Sequence, residues 1–265
     1  MLRILRAYPV LLRASFARAL VYRAELVIFI FTGTMPLVMM FIWLTLAGDG
    51  EINGFTSNDF VAYYLAALLV RRITGMWIVW DFDALIRKGE LSPYLLRPLD
   101  AMHYFLARAL ASRAFQIPIL LVPVAIAAWF LPGQQFDTSP LNLLAFVLAC
   151  AIGIAFEFLA QHIISALAFW VTQVTAIAEA WFFVKSFLGG YLAPLALLPG
   201  GMRAVLEWMP FQISLAFPIE ILIGRAPPER MAQGFGVGIA WLVLLAVVDR
   251  AVWRAGVRAY SAVGA

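Results

Sequence analysis

The sequence predicts an all-α integral membrane protein with six transmembrane helices, and three observations lead to this expectation. The 265-residue chain is 64% hydrophobic and 13% charged, whereas charged residues make up about 25% of an ordinary soluble domain. Its mean hydropathy is +0.92. Apolar stretches long enough to cross a bilayer recur along it, and its basic residues collect on one side of those stretches. We therefore expect the chain to fold in a lipid bilayer.

Six apolar stretches are long enough to be spans, because about 20 residues cross a hydrocarbon core about 30 Å thick. They cover residues 25–47, 59–80, 112–131, 141–170, 175–198 and 231–248. The fourth and fifth share one apolar run that is too long for a single crossing, so we expect a tight turn near residues 170–175. The arginine-rich start and the length of the first stretch argue against a cleavable signal peptide. The whole chain is then a single transmembrane domain.

The basic residues predict that both termini lie in the cytoplasm, because lysine and arginine are enriched beside the cytoplasmic ends of spans. Under this topology most of the 19 lysine and arginine residues are cytoplasmic. They are Arg3, Arg6, Arg13, Arg18, Arg23, Arg87, Lys88, Arg97, Arg108, Arg113, Arg250, Arg254 and Arg258. The net charge of +4 then reports orientation in the membrane, and it gives no reason to expect a nucleic-acid partner.

Residues 1–24 are predicted to form an amphipathic helix that lies in the headgroup plane. Arg3, Arg6 and Arg13 are spaced to share one helical face, while leucine and isoleucine residues occupy the rest, and Pro9 bends the helix. The other interpretation is a basic flank that only orients the first span. The two interpretations are compatible.

Residues 81–100, between the second and third spans, are more apolar than a solvated cytoplasmic loop requires. Gly89, Pro93 and Pro98 divide them, so we expect two brief helices joined by a turn. The segment also carries Arg87, Lys88, Glu90 and Arg97. An apolar patch with a charged rim indicates a surface on which another protein docks.

Residues 199–228 follow the fifth span on the predicted outer side and are again apolar, with Pro210 and Pro218 interrupting them. The run 211–224 is too short to cross a bilayer. It predicts an outer re-entrant helical segment, because broken backbone at membrane depth must be buried in protein or line a cavity. A packed hairpin at the membrane surface is the alternative.

Several polar and ionisable residues lie inside the predicted spans, where a charge costs about 2.5 to 3.5 kcal/mol on insertion scales. They are Arg71, Arg72, Glu157, Gln161, Glu179 and Lys185. Glu157, Gln161 and Ser165 recur at every fourth position and form one polar stripe. The charged groups either line a transport path or a subunit interface, or they pair to lock helices together, as Arg71 or Arg72 could with Glu157.

The sequence predicts no catalytic residues and no metal site of its own. Metalloprotease, serine-hydrolase and phosphate-binding loop motifs are absent from it. Its one cysteine, Cys150, excludes a disulfide framework or a thiolate metal cluster. Any ATP that drives this protein is hydrolysed by another subunit.

Five short motifs, spread over nearly the whole chain, carry a family resemblance. They are Tyr-Arg-Ala-Glu at 22–25, Asp-Phe-Val-Ala-Tyr-Tyr at 59–64, Leu-Val-Arg at 69–71, Gly-Glu-Leu-Ser-Pro-Tyr-Leu-Leu-Arg-Pro-Leu at 89–99 and Trp-Arg-Ala-Gly-Val-Arg-Ala-Tyr-Ser-Ala-Val-Gly at 253–264. With the predicted order of segments, they resemble the permease subunits of type-2 ABC exporters. More closely, they are similar to a bacterial branch whose permeases are encoded in pairs beside a separate ATPase. The motif at 89–99 is the most specific of the five.

The resemblance implies that residues 81–100 form the coupling helix, which inserts into a groove of the ATPase. The implied contact residues are Ile86, Arg87, Gly89, Leu91, Leu95, Leu96 and Arg97. It further implies two ATPase subunits that bind ATP and magnesium, and a second permease that is a sister chain or another copy. The complex would lie in a bacterial cytoplasmic membrane and export a hydrophobic or amphiphilic drug-like compound, lipid or glycolipid by alternating access. The path would be lined by the second and fifth spans.

An ion-coupled secondary transporter is the alternative from another class, because Glu157, His162 and Glu179 could carry protons. The two halves of the sequence show no inverted repeat of the kind such carriers use, and this alternative leaves residues 81–100 unexplained. The sign of the cargo's charge stays open. Arginines in a cavity would suit an anion, whereas glutamates would suit a lipophilic cation.

Overall fold

The computed structural model describes Pro9, Val10, Arg13 and residues 34–48, 50–97, 100–130 and 136–260, with backbone only at 112, 114, 115, 119, 123 and 127–130. Within these ranges the α-helices are α1 (Met35–Ala47), α2 (Ser57–Thr74), α3 (Val79–Arg87), α4 (Ser92–Leu95), α5 (Ala101–Phe130), α6 (Pro140–Ala166), α7 (Val174–Leu188), α8 (Gly200–Leu206), α9 (Ala216–Leu222) and α10 (Pro228–Ala259). Short 3₁₀ helices cover Leu167–Phe169, Leu195–Leu197 and Pro210–Ser214. Strands β1 (Glu51–Ile52) and β2 (Phe55–Thr56) form an antiparallel hairpin before α2.

In the part of the chain that the structure describes, four helical stretches are long and apolar enough to cross a membrane. They are Ser57–Arg87, Ala101–Ile126, Pro140–Phe169 and Pro228–Ala259. Helix α1 is a shorter apolar helix, and residues 25–33 of the first predicted span lie outside the described residues. So does nearly all of the predicted amphipathic helix at 1–24. The protein is thus a mostly helical multi-pass membrane protein, and the count of six spans stays a prediction.

Several predicted boundaries differ from the helices of the structure, among them the end of the sixth predicted span at 248, since α10 continues to Ala259. The second predicted span, 59–80, is interrupted after Thr74 and resumes at Val79. The third was expected from residue 112, but α5 begins at Ala101. The fifth was expected to reach residue 198, but α7 ends at Leu188 and the chain turns at Gly189 and Gly190. Glycine permits this turn because Gly190 has a φ of 89°.

A capping box fixes the start of α2. The Thr56 hydroxyl accepts a hydrogen bond from the Asp59 backbone N–H (3.4 Å), and the Asp59 carboxylate accepts one from the Thr56 backbone N–H (2.8 Å). These bonds satisfy backbone donors that a helix N-terminus leaves free. Arg225 pairs with the same carboxylate at 2.7 Å, so the far end of the segment before α10 is tied to the start of α2.

Residues 189–227 run into the helical bundle alongside α2 and come back out. Tyr63 donates to the Gly190 carbonyl (2.7 Å), and Thr74 donates to the Ser214 carbonyl (2.7 Å). Since each helical residue rises about 1.5 Å, Thr74 lies about 26 Å along α2 from its first residue. The return to Asp59 through Arg225 closes the excursion on the side where it began. This path is compatible with the predicted re-entrant segment.

The deepest point of this excursion requires a glycine on α6. A Cβ atom on Gly153 would lie 2.9 Å from the Thr74 side chain and 3.2 Å from the backbone of Ile213 and Ser214. Real Cβ contacts are essentially never shorter than 3.0 Å, and a contact of 3.2 Å is tighter than nine in ten of them. The close approach of the 3₁₀ helix Pro210–Ser214 to α6 therefore depends on the missing side chain.

Gly153→Val is expected to lower the melting temperature by about 3 to 10 °C, because overpacking a filled core costs about 1 to 3 kcal/mol. A thiol-reactive fluorophore measures this directly, since Cys150 is the sole cysteine of the chain and is buried. Gly236→Val is the matched control, because a Cβ atom on Gly236 meets nothing within 4 Å. Equal melting temperatures for the two variants would contradict the close packing at Gly153.

Candidate functional site

The centre of the site is the break between α2 and α3, at residues 75–78. Helix α2 ends at Gly75, whose ψ of 136° takes the chain out of the helix. Two buried side chains from other helices satisfy the freed backbone groups. Arg113 of α5 donates to the carbonyls of Ile73 (2.7 Å) and Gly75. Gln161 of α6 accepts from the Ile78 N–H (3.0 Å) and donates to the Met76 carbonyl.

This arrangement holds the break in one conformation. Backbone that leaves a helix at membrane depth must find its hydrogen bonds within the protein, and here each partner is a side chain built into a neighbouring helix. A cation at the C-terminal end of α2 also matches the negative end of the helix dipole. The break is therefore a defined part of the fold, stabilised by its own hydrogen bonds, and not a frayed helix end.

The role of Arg113 corrects the sequence interpretation, which placed this residue in a cytoplasmic flank. The structure buries it, with only 6% of its surface exposed, because α5 begins at Ala101 and Arg113 lies twelve residues further into the helix. Gln161 belongs to the predicted polar stripe, and the third member of that stripe, Ser165, donates to the Gln161 carbonyl at 2.6 Å.

The acidic member of the stripe has a different partner from the one considered in the sequence. Glu157 is fully buried and accepts from the Lys185 ammonium of α7 at 2.7 Å. Pairing with Arg71 or Arg72 was one of the alternatives that the sequence left open. Instead, the Arg71 guanidinium lies 4.4 Å from the ring centroid of Tyr191. The pair Glu157–Lys185 therefore joins α6 to α7.

The two remaining intramembrane candidates differ in exposure. Arg72 follows Arg71 on α2 and is half-buried, about 100° further round the helix. Glu179 of α7 is exposed. Glu157, Gln161 and Lys185 thus bond within the bundle, whereas Glu179 is exposed.

Three aromatic rings stack beside the break and form a surface that we call the aromatic platform: Trp77, Trp80 and Phe182. The ring centroids of Trp77 and Phe182 are 4.8 Å apart, and those of Trp80 and Phe182 are 5.9 Å apart, with interplanar angles of 20° and 18°. Both tryptophans are exposed, while Met76 and Ile78 on either side of Trp77 are buried.

Beyond the break, α3 and α4 form the segment that was predicted to contact an ATPase. Ile86 and Leu91 are buried, and Leu95 is half-buried against the same internal cluster. Gly89 makes the turn between the helices with a φ of 74°. Leu96 protrudes, with 87% of its surface exposed.

The charged residues of this segment are held by local contacts. Arg87 pairs with Asp83 and donates to the Thr172 carbonyl at 2.8 Å. The Arg97 guanidinium lies about 5 Å from the rings of Tyr94 and Tyr104. Pro98 and Leu99 lie outside the described residues. The sequence interpretation expected a broad apolar docking patch, whereas most of its apolar side chains fix the segment to its own chain and Leu96 is left to project.

Helix α3 is anchored in an aromatic cluster around a buried hydrogen bond between His162 and Asp249. Phe82, which is fully buried, packs against His162 and Trp253 with ring centroids 5.1 and 5.8 Å apart. His162 Nδ1 and Asp249 Oδ1 are 2.5 Å apart, and both residues are buried. These contacts join α3 to α6 and α10. The sequence named His162 as a proton carrier of the alternative transporter, and Asp249 was not singled out, although its position near the end of the last apolar run could have indicated it.

Comparison with protein families decides what kind of protein carries this architecture. Residues 30–264 match the model of the ABC-2 family transporter protein family. The chain belongs to this family. A search among curated proteins found no match.

Membership makes the chain an ABC-2 permease, the membrane subunit that works with an ABC ATPase. The matched range contains every helix from α1 to α10, the break and the segment beyond it. Family membership therefore shows that the chain is a permease and that its partner is an ABC ATPase. Family membership does not specify the number of ATPase copies, the second permease, the cargo or the direction of transport.

Proposed function

We propose that this ABC-2 permease is half of the membrane part of an ATP-driven exporter. It moves a hydrophobic or amphiphilic cargo, such as a drug-like compound, lipid or glycolipid, across a bacterial cytoplasmic membrane by alternating access. Two ATPase subunits bind ATP and magnesium, and a second permease, a sister chain or another copy, completes the path. The single observation that supports the proposal is the α3–α4 segment. Its base, at Phe82, is anchored in the bundle, and its tip, at Leu96, projects.

The tip of the segment suits docking into a protein groove. Among the described leucines of the segment Leu96 is the exposed one, and Arg87, Lys88, Glu90 and Arg97 are also exposed. An apolar anchor within a polar rim is typical of the residues that dominate protein interfaces. The residues of the segment that contact the ATPase are then Leu96 and this charged rim, while Ile86, Gly89, Leu91 and Leu95 shape the segment.

The base of the segment suits the transmission of a displacement. Packed interiors have low compressibility and transmit strain. A displacement of α3 therefore also displaces the residues that Phe82 contacts. Phe82 touches His162 on α6 and Trp253 on α10. A displacement of the segment by an ATPase would therefore tilt two of the four long helices.

The proposed topology puts both termini and the α3–α4 segment in the cytoplasm, as the distribution of basic residues indicates. The path lies between the two permeases and is lined by α2 with Arg71 and Arg72 and by α7 with Glu179. The outer surface of the permease contacts membrane lipid, and no nucleic acid takes part. Catalysis of ATP hydrolysis belongs to the ATPase, because the permease contributes docking and shape.

Site-specific cross-linking tests the proposed docking. Leu96→Cys, modified with a photoactivatable thiol reagent, should cross-link to the ABC ATPase in membranes that contain the whole complex. Leu46→Cys is the control, because Leu46 is also exposed (63%) but lies near the end of α1. Cross-linking from position 46, or none from position 96, would refute the docking assignment. The buried native Cys150 does not compete for the reagent.

A further inference from the structure

The helix break serves to expose one tryptophan. Among residues 76–78, Met76 and Ile78 are nearly fully buried, and Trp77 is 48% exposed. A continuous helix through this stretch would need neither the Arg113 guanidinium nor the Gln161 amide as backbone partners. Two buried polar side chains therefore stabilise the conformation that turns Trp77 outward. Such an arrangement indicates a function for the exposed ring.

The aromatic platform lies where the α2 crossing ends and the segment towards α3 begins. Trp77 is twenty residues from Ser57, the first residue of α2, which corresponds to about 30 Å of helix. Phe182 stacks on Trp77 at 4.8 Å and lies one turn from Glu179 on α7. The platform is therefore an exposed aromatic surface between the helix break and α7.

A polar stripe on α7 runs beside the platform. Thr175, Glu179, Phe182 and Ser186 are separated by four, three and four residues, a spacing that places them on one side of the helix. Glu179 is one turn from Phe182 and is exposed. A carboxylate on the outward face of a membrane helix is costly unless it faces a cavity or a partner charge.

Three charged residues near the platform have partners within the protein. Lys185 lies 5.2 Å from the Phe182 ring, but its ammonium pairs with Glu157 at 2.7 Å. The Arg71 guanidinium lies over Tyr191, and Asp81, which follows Trp80, pairs with Arg108 at 3.0 Å. Glu179 adds an exposed carboxylate beside the platform.

We propose that the aromatic platform and Glu179 form a cargo site for a hydrophobic organic cation. This inference rests on the proposed function and supplies the sign of the cargo's charge, which the sequence left open. Aromatic faces attract cations through their quadrupole, most strongly where water is excluded, and the Glu179 carboxylate balances the positive charge at low dielectric. The apolar bulk of the cargo stacks on the exposed indole rings.

Two probes of equal shape and opposite charge test the proposal without a variant. Tetraphenylphosphonium and tetraphenylborate are both tetrahedral and carry four phenyl groups. Binding of each is measured by equilibrium dialysis against the full complex in nanodiscs, with empty nanodiscs of the same lipid as the blank. The proposal predicts saturable binding of tetraphenylphosphonium and none of tetraphenylborate above the blank. Equal binding of the two probes, or no binding of the cation, overturns it.

Two variants locate the site. Glu179→Gln and Trp77→Ala should each weaken tetraphenylphosphonium binding by about three- to tenfold. Glu179→Asp keeps the charge and should retain most of the affinity. The matched controls are Glu229→Gln and Trp208→Ala, because Glu229 and Trp208 are exposed but belong to other parts of the fold. Cation binding that survives both site variants, or falls equally in the controls, overturns the assignment.

The two proposals fail in different ways. If the cargo site is wrong, the complex still assembles with its ATPase and position 96 still cross-links, while the two probes bind alike. If the proposed function is wrong, the cross-link from position 96 is missing whatever the probes do.

Discussion

Leu96→Asp is expected to abolish ATP-driven transport while the permease itself remains folded. Leu96 is 87% exposed, so a carboxylate there is hydrated and costs the isolated permease little. In the complex the same carboxylate would enter an apolar groove without a partner. Loss of a central interface anchor typically weakens binding by at least about thirtyfold. The measurement is retention of the ATPase on the affinity-purified permease, together with ATP-dependent transport.

The neighbouring leucine gives the contrast. Leu95 packs against the internal cluster of the segment, so Leu95→Asp should lower the melting temperature as well as transport. Leu96→Met keeps the apolar anchor and should behave like the natural protein. An Asp at position 96 that retains the ATPase and transports normally would remove Leu96 from the docking surface.

Arg113→Met is expected to have the largest effect on stability. The substitution leaves the carbonyls of Ile73 and Gly75 buried without their donor. Each unsatisfied buried group costs about 1 to 3 kcal/mol, so the total loss is about 2 to 6 kcal/mol. Most of the variant should be absent from the monodisperse peak in fluorescence-detected size-exclusion chromatography, and the remainder should melt at a lower temperature.

Arg108→Met is the matched control on the same helix. Arg108 pairs with Asp81 at 3.0 Å, and both side chains are more than 40% exposed. Exposed ion pairs contribute at most about 1 kcal/mol, so this variant should be recovered in nearly natural amounts. Similar losses for the two variants would show that Arg113 has no special role at the break.

The sequence alone was enough to predict the membrane class and the helical fold, because apolar runs and the paucity of charge determine both. It also located the α3–α4 segment, since Gly89 and the prolines interrupt an apolar run in a way that periodicity makes visible. The break at residues 75–78 was not predictable in this way. Gly75 alone is a weak signal, and the side chains that stabilise the break, Arg113 and Gln161, come from distant parts of the chain.

The site shows the same division between local and long-range information. The stripe of Glu157, Gln161 and Ser165 on α6 follows from helical spacing, which the sequence displays directly. The partners of these polar residues cannot be predicted from spacing, because pairing depends on how the helices pack. Lys185 contacts Glu157, and Asp249 contacts His162. Both contacts are made between helices, and no local sequence pattern predicts them. Ile86 and Leu91 of the predicted docking segment are buried for the same reason.

The most direct test of the account is what powers transport. The permease and its ATPase are reconstituted together in proteoliposomes, and movement of a fluorescent hydrophobic dye is followed with ATP and magnesium or with an imposed proton gradient. The account predicts transport with ATP, none with a non-hydrolysable ATP analogue, and none from the permease alone on a proton gradient. Dye movement by the permease alone, driven by protons without bound ATPase, would contradict it.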